Sequence, residues 1–214
     1  MINKKFALTA IAAVLSLSAG FAQATTIPTG ANIPAPYGNI HHENTNLYTF
    51  TAANTGTIDA YFAGSTASYD DTLGLLVNGV DTGFYGLDNH TSVYGQSFNF
   101  GNVQVNAGDV LTFVLKVVTT SNTFYSDRSL NADGANHVYS SAFAGDALIP
   151  ELIGAGTYVA FEDLAASVAD YNYNDENFVF SNIATTVYDV PEPTSLALLG
   201  LGALGFAASR RKAA

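Results

Sequence analysis

Leu73-Gly74-Leu75-Leu76-Val77-Asn78-Gly79-Val80-Asp81-Thr82-Gly83-Phe84 decides the fold class. Two strand-like runs, Leu73 to Val77 and Val80 to Phe84, flank two residues that both tolerate φ > 0, which is the chemistry of a two-residue β-hairpin. The same grammar continues on either side of it. Upstream, Leu47 to Ala52 alternates in strand fashion, and Gly56 to Phe62 follows an Asn54-Thr55-Gly56 turn. Downstream, Gln96 to Val105 alternates through Phe98, Phe100, Val103 and Val105, and Ala107-Gly108-Asp109 turns it into Val110 to Thr119. That last run is largely apolar, so its neighbours must cover both of its faces. Ser121 to Gly134 reads as a polar loop; His137 to Phe143, Gly156 to Phe161 and Asn177 to Val187 read as further strands. Short strands at a spacing of about 8–12 residues predict an all-β domain, a single β-sandwich of jelly-roll type. Thr25 to Asn46 is a Pro- and Asn-rich lead.

Both ends differ in composition from this body. Lys4 and Lys5, the apolar run Phe6 to Leu17 and Ala22-Gln23-Ala24 have the order of a secretory signal peptide, a helix over residues 1–24 cleaved after Ala24. At the other end Val190-Pro191-Glu192-Pro193 precedes sixteen uncharged residues, Thr194 to Ser209, and then Arg210, Arg211 and Lys212. As a helix the uncharged run would span about 24 Å, against about 30 Å for a bilayer core, a short membrane anchor. The basic cluster is a membrane stop that stays on the cytoplasmic side. Gly200, Gly202 and Gly205 match G-x-G-x-x-G, but no strand precedes them and no second strand can follow, so a nucleotide site is rejected. Small residues in a membrane helix account for them.

The order Pro-Glu-Pro, apolar span, basic terminus over residues 190–214 resembles the PEP-CTERM sorting signal of Gram-negative bacteria. The resemblance implies that an exosortase, a membrane-embedded cysteine peptidase, recognises Pro191-Glu192-Pro193 and removes or transfers the tail. It implies a transient stay at the inner membrane, then delivery to the cell envelope or extracellular matrix of a host that makes exopolysaccharide. The domain between the processed ends is residues 25–189.

Five of the seven basic residues lie in those ends. Lys116 and Arg128 alone face seventeen acids within 25–189, a charge of −15 where the whole chain has −11. Such a surface repels nucleic acid, whose binding depends on clustered Lys and Arg, and attracts cations such as Ca²⁺. There is no cysteine, which excludes disulfides and thiolate metal or redox sites.

One constellation stands out from this acidic background: Glu162-Asp163, followed by Asp170-Tyr171-Asn172-Tyr173-Asn174-Asp175. In an extended segment Asp170, Asn172 and Asn174 share one face and the tyrosines the other. Crowded hard oxygens suit Ca²⁺, which takes about six to eight of them; Glu162 and Asp163 complete the set from the preceding loop. The segment is no EF-hand, because Asp175 stands where glycine is required and Ser181 where glutamate is. An Asx-rich turn, its side chains bonded to their own backbone, explains the same residues, and both readings stay open. Over Tyr158 to Phe180 the pattern Phe-Glu-Asp-Leu, Asp-x-Asn-x-Asn-Asp, Phe-Val-Phe resembles the end of an uncharacterised domain family of secreted bacterial proteins. That resemblance implies an acidic loop between the last strands of a sandwich, with Ca²⁺ as occupant.

Asp70-Asp71 beside Tyr69 is a second acidic patch able to bind a cation, read instead as a solvated pair, facing opposite sides if extended. No H-E-x-x-H occurs among His41, His42, His90 and His137, no G-x-S-x-G elbow is present, and no pair of carboxylates singles itself out for glycoside chemistry. The expectation is a non-enzyme. Two functions fit: a structural protein of the envelope, or a carbohydrate-binding module for exopolysaccharide that uses Tyr61, Tyr69, Tyr85, Tyr94, Tyr125 or Tyr139. The absence of Trp counts against the second.

Overall fold

A computed structural model describes residues 42–145 and 152–189. The expected signal helix, most of the lead and the expected anchor helix lie outside the described residues. Within them the chain is all-β, with eleven strands in two antiparallel sheets. They are β1 (Asn46–Ala52), β2 (Ala60–Ser65), β3 (Asp71–Val77), β4 (Val80–Gly86), β5 (Ser97–Phe98), β6 (Val110–Val117), β7 (Asn122–Tyr125), β8 (Val138–Phe143), β9 (Gly156–Phe161), β10 (Glu176–Phe180) and β11 (Ile183–Asp189). One sheet has the order β11-β1-β6-β3-β4, with β7 also pairing β6; the other is β5-β2-β10-β9-β8.

The hairpin forms as read. Val77 pairs Val80, and Asn78 (φ 50°) and Gly79 (φ 80°) both take the left-handed turn conformation. Strand β6 is the hub of its sheet. Leu111, Phe113, Leu115 and Val117 face the core between the sheets, while Thr112 and Val114 are buried on the opposite face, as the apolar run required. Across the interior Phe113 of β6 stacks on Phe180 of β10 with ring centroids 3.9 Å apart, and Phe50 of β1 meets Phe113 edge-on at 5.1 Å. A second cluster, with Tyr158, Ala160 and Val179 joined by Ile153 and Tyr173 from the loops, covers the outer face of the β9–β10 pair. Strands β9 and β10 are therefore covered on both faces.

Four expectations need correction. The run Gln96–Val105 is not one strand: only Ser97–Phe98 pairs, a 3₁₀ turn follows at Phe100–Asn102, and Val105 keeps a single bridge to Gly56. That bridge is all that Gly56 contributes, and β2 begins at Ala60. The polar stretch after Ser121 contains β7, held by register with Val114 to Val117. Asn177–Val187 is two strands in different sheets, parted at Ser181-Asn182, where Asn182 takes φ 57°.

Strand directions sort the connections between two ends of the sandwich. At the turn end lie Asn78-Gly79, the Ala107–Asp109 turn and Asn182. At the other end β3 and β10 begin, β9 and β11 finish, and β1 starts, with Asn46 opposite Asp189. The site sits at this second end.

Candidate metal centre

Alternation along the strands places each acid. Asp71 opens β3 in phase with the core residues Leu73 and Leu75 and lies opposite Val117 of β6. Glu176 opens β10 in phase with Phe178 and Phe180 and lies opposite Phe161 of β9. Both carboxylates therefore point between the sheets, and both residues are 0% exposed. Glu162 follows Phe161 and continues the ladder, its amide donating to the His137 carbonyl at 3.0 Å. Asp175 precedes Glu176, its amide donating to the Phe161 carbonyl at 3.2 Å. Glu162 and Asp175 thus fall on the outer face of the sheet. Asp163 stands just beyond the end of β9, and its amide donates to Asp175 Oδ2 at 3.0 Å.

Glu162, Asp163 and Asp175 each offer an oxygen, all within 4.8 Å of one another. Asp71 meets this group at Asp163: the two carboxyls lie close enough to hydrogen-bond when one is protonated. Among the described residues, neither oxygen of Asp71, Glu162 or Glu176 accepts a well-formed hydrogen bond from a protein donor, the Tyr171 amide lying near Glu162 without closing one. A buried ionised group without a partner costs several kcal/mol. Neither basic residue of the body relieves it. Lys116 stands 3.3 Å over the Tyr85 ring, and Arg128 pairs with Glu43 at 3.2 Å.

Protonation is what remains to the carboxyls alone. Burial, reinforced by neighbouring negative charge, pushes Asp71 and Glu162 up to about 8 and Asp175 up to about 7. The same causes, burial first, raise Asp163 and carry Glu176 well above the ordinary carboxylate range. A bound cation reverses the balance by stabilising the ionised forms.

The second part of the sequence-read constellation behaves differently. Tyr171 (φ 53°) and Tyr173 (φ 51°) are left-handed, so Asp170 to Asn174 is a chain of turns rather than an extended strand. Asn172 donates to both Asp170 oxygens, and its own Oδ1 accepts from the Asn174 amide at 3.0 Å. The Asn174 Oδ1 accepts from the Thr66 hydroxyl at 2.6 Å. These are bonds of the Asx-turn kind. The structure thus gathers Glu162, Asp163 and Asp175, and leaves Asp170 and Asn172 bonded within the loop and Asn174 bonded to Thr66. The tyrosines fix that loop: Tyr173 is fully buried, accepts from the Asn44 amide at 2.8 Å and donates to the Asn136 carbonyl at 3.0 Å.

Sequence reasoning missed Glu176 and set Asp71 aside as solvated. The pair Asp70-Asp71 does split as alternation requires, but Asp71 is buried in the cluster rather than solvated; Asp70 is exposed, 3.3 Å from His90. The available signal was phase: each is a carboxylate in register with an apolar series, Asp71-Leu73-Leu75 and Glu176-Phe178-Phe180. Buried His137 is held by Asp133 at 3.0 Å and by the Glu162 carbonyl at 3.1 Å, and stacks on Phe124. Of the candidate sugar platforms, Tyr139 is buried, and Tyr61, Tyr69, Tyr85, Tyr94 and Tyr125 are all half-buried.

Among the described residues no helix is long and apolar enough to cross a membrane. Residues 189–212 match the family of the PEP-CTERM protein-sorting motif. The chain carries this motif, the mark of an exported protein sorted by an exosortase. No curated protein and no solved structure matches the chain.

Proposed function

We propose that this chain is a non-catalytic structural protein of the cell envelope or extracellular matrix, in a bacterium that makes exopolysaccharide, and that Ca²⁺ completes its folded body. Consecutive strands pass repeatedly from one sheet to the other, which supports the jelly-roll reading of the sandwich. The tail after Asp189 would hold the body at the inner membrane through a short helix until the exosortase acts on Pro191-Glu192-Pro193. The body would then remain in the envelope or matrix.

The observation that carries the cation is the set of buried carboxylates without protein donors, Glu162 foremost, beside the Glu162–Asp163–Asp175 group. All-oxygen, all-anionic ligands favour a hard ion. The test is the melting temperature of the full-length chain in detergent, with Ca²⁺ and with chelator. At a thousandfold excess over Kd the ion contributes about 4 kcal/mol, or roughly 10 °C for a body of this size. Asp163→Asn should reduce the difference by a third or more. Identical curves with and without Ca²⁺, and a silent Asp163→Asn, would remove the cation from this reading.

A second reading, a carbohydrate-binding module, draws on one groove of about 450 Å³ lined by Leu47, Thr49, Asp127, Arg128, Asn131 and Tyr188. Tyr188 is 53% exposed and offers a ring on which a sugar could stack. Retention of the chain on a polysaccharide column, lost in Tyr188→Ala, would favour this reading over the structural one.

A further inference from the structure

We infer that the acidic end holds two cations, one on each side of the β9–β10 ladder, with the Asp163 carboxylate reaching both. This rests on the cation reading above and extends it from a single group of three ligands to a second site.

The ladder itself separates the ligands. Phe161 lies opposite Glu176, and Phe161 belongs to the core between the sheets, so Glu176 faces inward. The paired register ends there; Glu162 follows Phe161 and Asp175 precedes Glu176, and adjacent residues on an extended strand point to opposite faces. Glu162 and Asp175 therefore face the outer layer, where Tyr158, Ala160 and Tyr173 pack. After burial, Asp71 of the opposite sheet acts most strongly on Glu176, ahead of Asp175 and Asp163.

Asp71 and Glu176 form the inner pair. Each is 0% exposed, and all four of their carboxylate oxygens lack a protein donor. They approach from different sheets, so an ion between them would fasten one sheet to the other at this end. The approach is fixed from the backbone: the Asp71 amide donates to Asn89 Oδ1 at 2.9 Å, and Glu176 is held in register by both neighbouring strands. Asp163 is the link, close to Asp71 on one side and within 4.8 Å of Glu162 and Asp175 on the other. Charge points the same way: five carboxylates carry −5, of which one divalent ion offsets less than half and two offset four-fifths. The donors are carboxylates throughout, the chemistry of Ca²⁺ rather than of Zn²⁺ or copper.

Native mass spectrometry of the full-length chain released from detergent in Ca²⁺ counts the ions directly. Two are expected per chain. Asp71→Asn with Glu176→Gln should leave one, Asp175→Asn should also leave one, and Asp163→Asn should weaken both at least tenfold. Should the double variant fail to fold, Asp71→Asn alone reads the same inner site. One ion in the native chain, undisturbed by Asp71→Asn, overturns the inner site while leaving the outer one standing. Loss of all ions on Asp71→Asn would overturn the division into two sites. No ion in the native chain would overturn this inference and the cation reading with it.

Discussion

Asp109, at the turn end of the sandwich, accepts from the Asn106 amide at 2.7 Å and from the Asn78 side chain at 2.9 Å. Asp71, at the far end of the same sheet, accepts from nothing. Around Asp109 the loops complete one another: Asn78 Oδ1 accepts from the Val110 amide at 2.9 Å, and Asn182 is bonded to Asn54 through its oxygen and to the Asn54 and Thr57 carbonyls through its nitrogen. The donors hold the Asp109 carboxyl below the usual carboxylate range, with Asn106 the main cause, whereas burial pushes Asp71 up to about 8. One end of the molecule is finished by its own polypeptide; the other presents buried carboxylates without a counterpart among the described residues. Local hydrogen bonding is sufficient for a turn, but not for five acids gathered in the interior.

The comparison breaks most visibly with pH. At the acidic end the folded carboxyls are raised above their unfolded values, so their stabilising effect is complete in acid and lost as pH climbs through about 7 to about 8. A chelated full-length chain should therefore lose several kcal/mol between about pH 5 and about pH 8.5, and Ca²⁺ should restore the loss. A flat melting profile across that interval would make the two ends alike. Next in size, Gly79→Val forces a β-branched residue into φ 80° at the finished end. It should cost about 1–2 kcal/mol, equally with calcium and with chelator. Smallest is Asp109→Ala. Its depressed carboxyl contributes only above the ordinary carboxylate range, so the variant should melt slightly lower at neutral pH and like the parent in strong acid. The pH slopes at the two ends thus have opposite signs.

The finished end was legible because its information is local. Asn78-Gly79 names its own turn type, and Ala107-Gly108-Asp109 sits beside the strand it starts. Strand β7 was not legible, since Asn122-Thr-Phe-Tyr125 is four residues in a polar stretch whose strand character comes from β6. The β10–β11 boundary was hidden because apolar alternation runs on through Asn182, and a change of sheet leaves no mark on the period. At the site, Glu162, Asp163 and Asp175 were found by crowding within one short stretch. Asp71 lies some ninety positions upstream of them, and antiparallel packing of the sheets, not spacing, brings it to Asp163. Asn172 and Asn174 were the converse case: correctly spaced for ligation, yet their oxygens are taken by the Asn174 amide and the Thr66 hydroxyl.

Strand β11 finishes at Asp189 opposite Asn46, where the matched tail begins and where β1 enters the sheet. On the proposed anchoring the body would hang from its tail by the carboxylate end, with the Asn78-Gly79 tip at the opposite end of the sandwich. An ion arriving from outside would then have to come round to the attached side, while the opposite tip, closed by its own hydrogen bonds, would ask nothing of its surroundings.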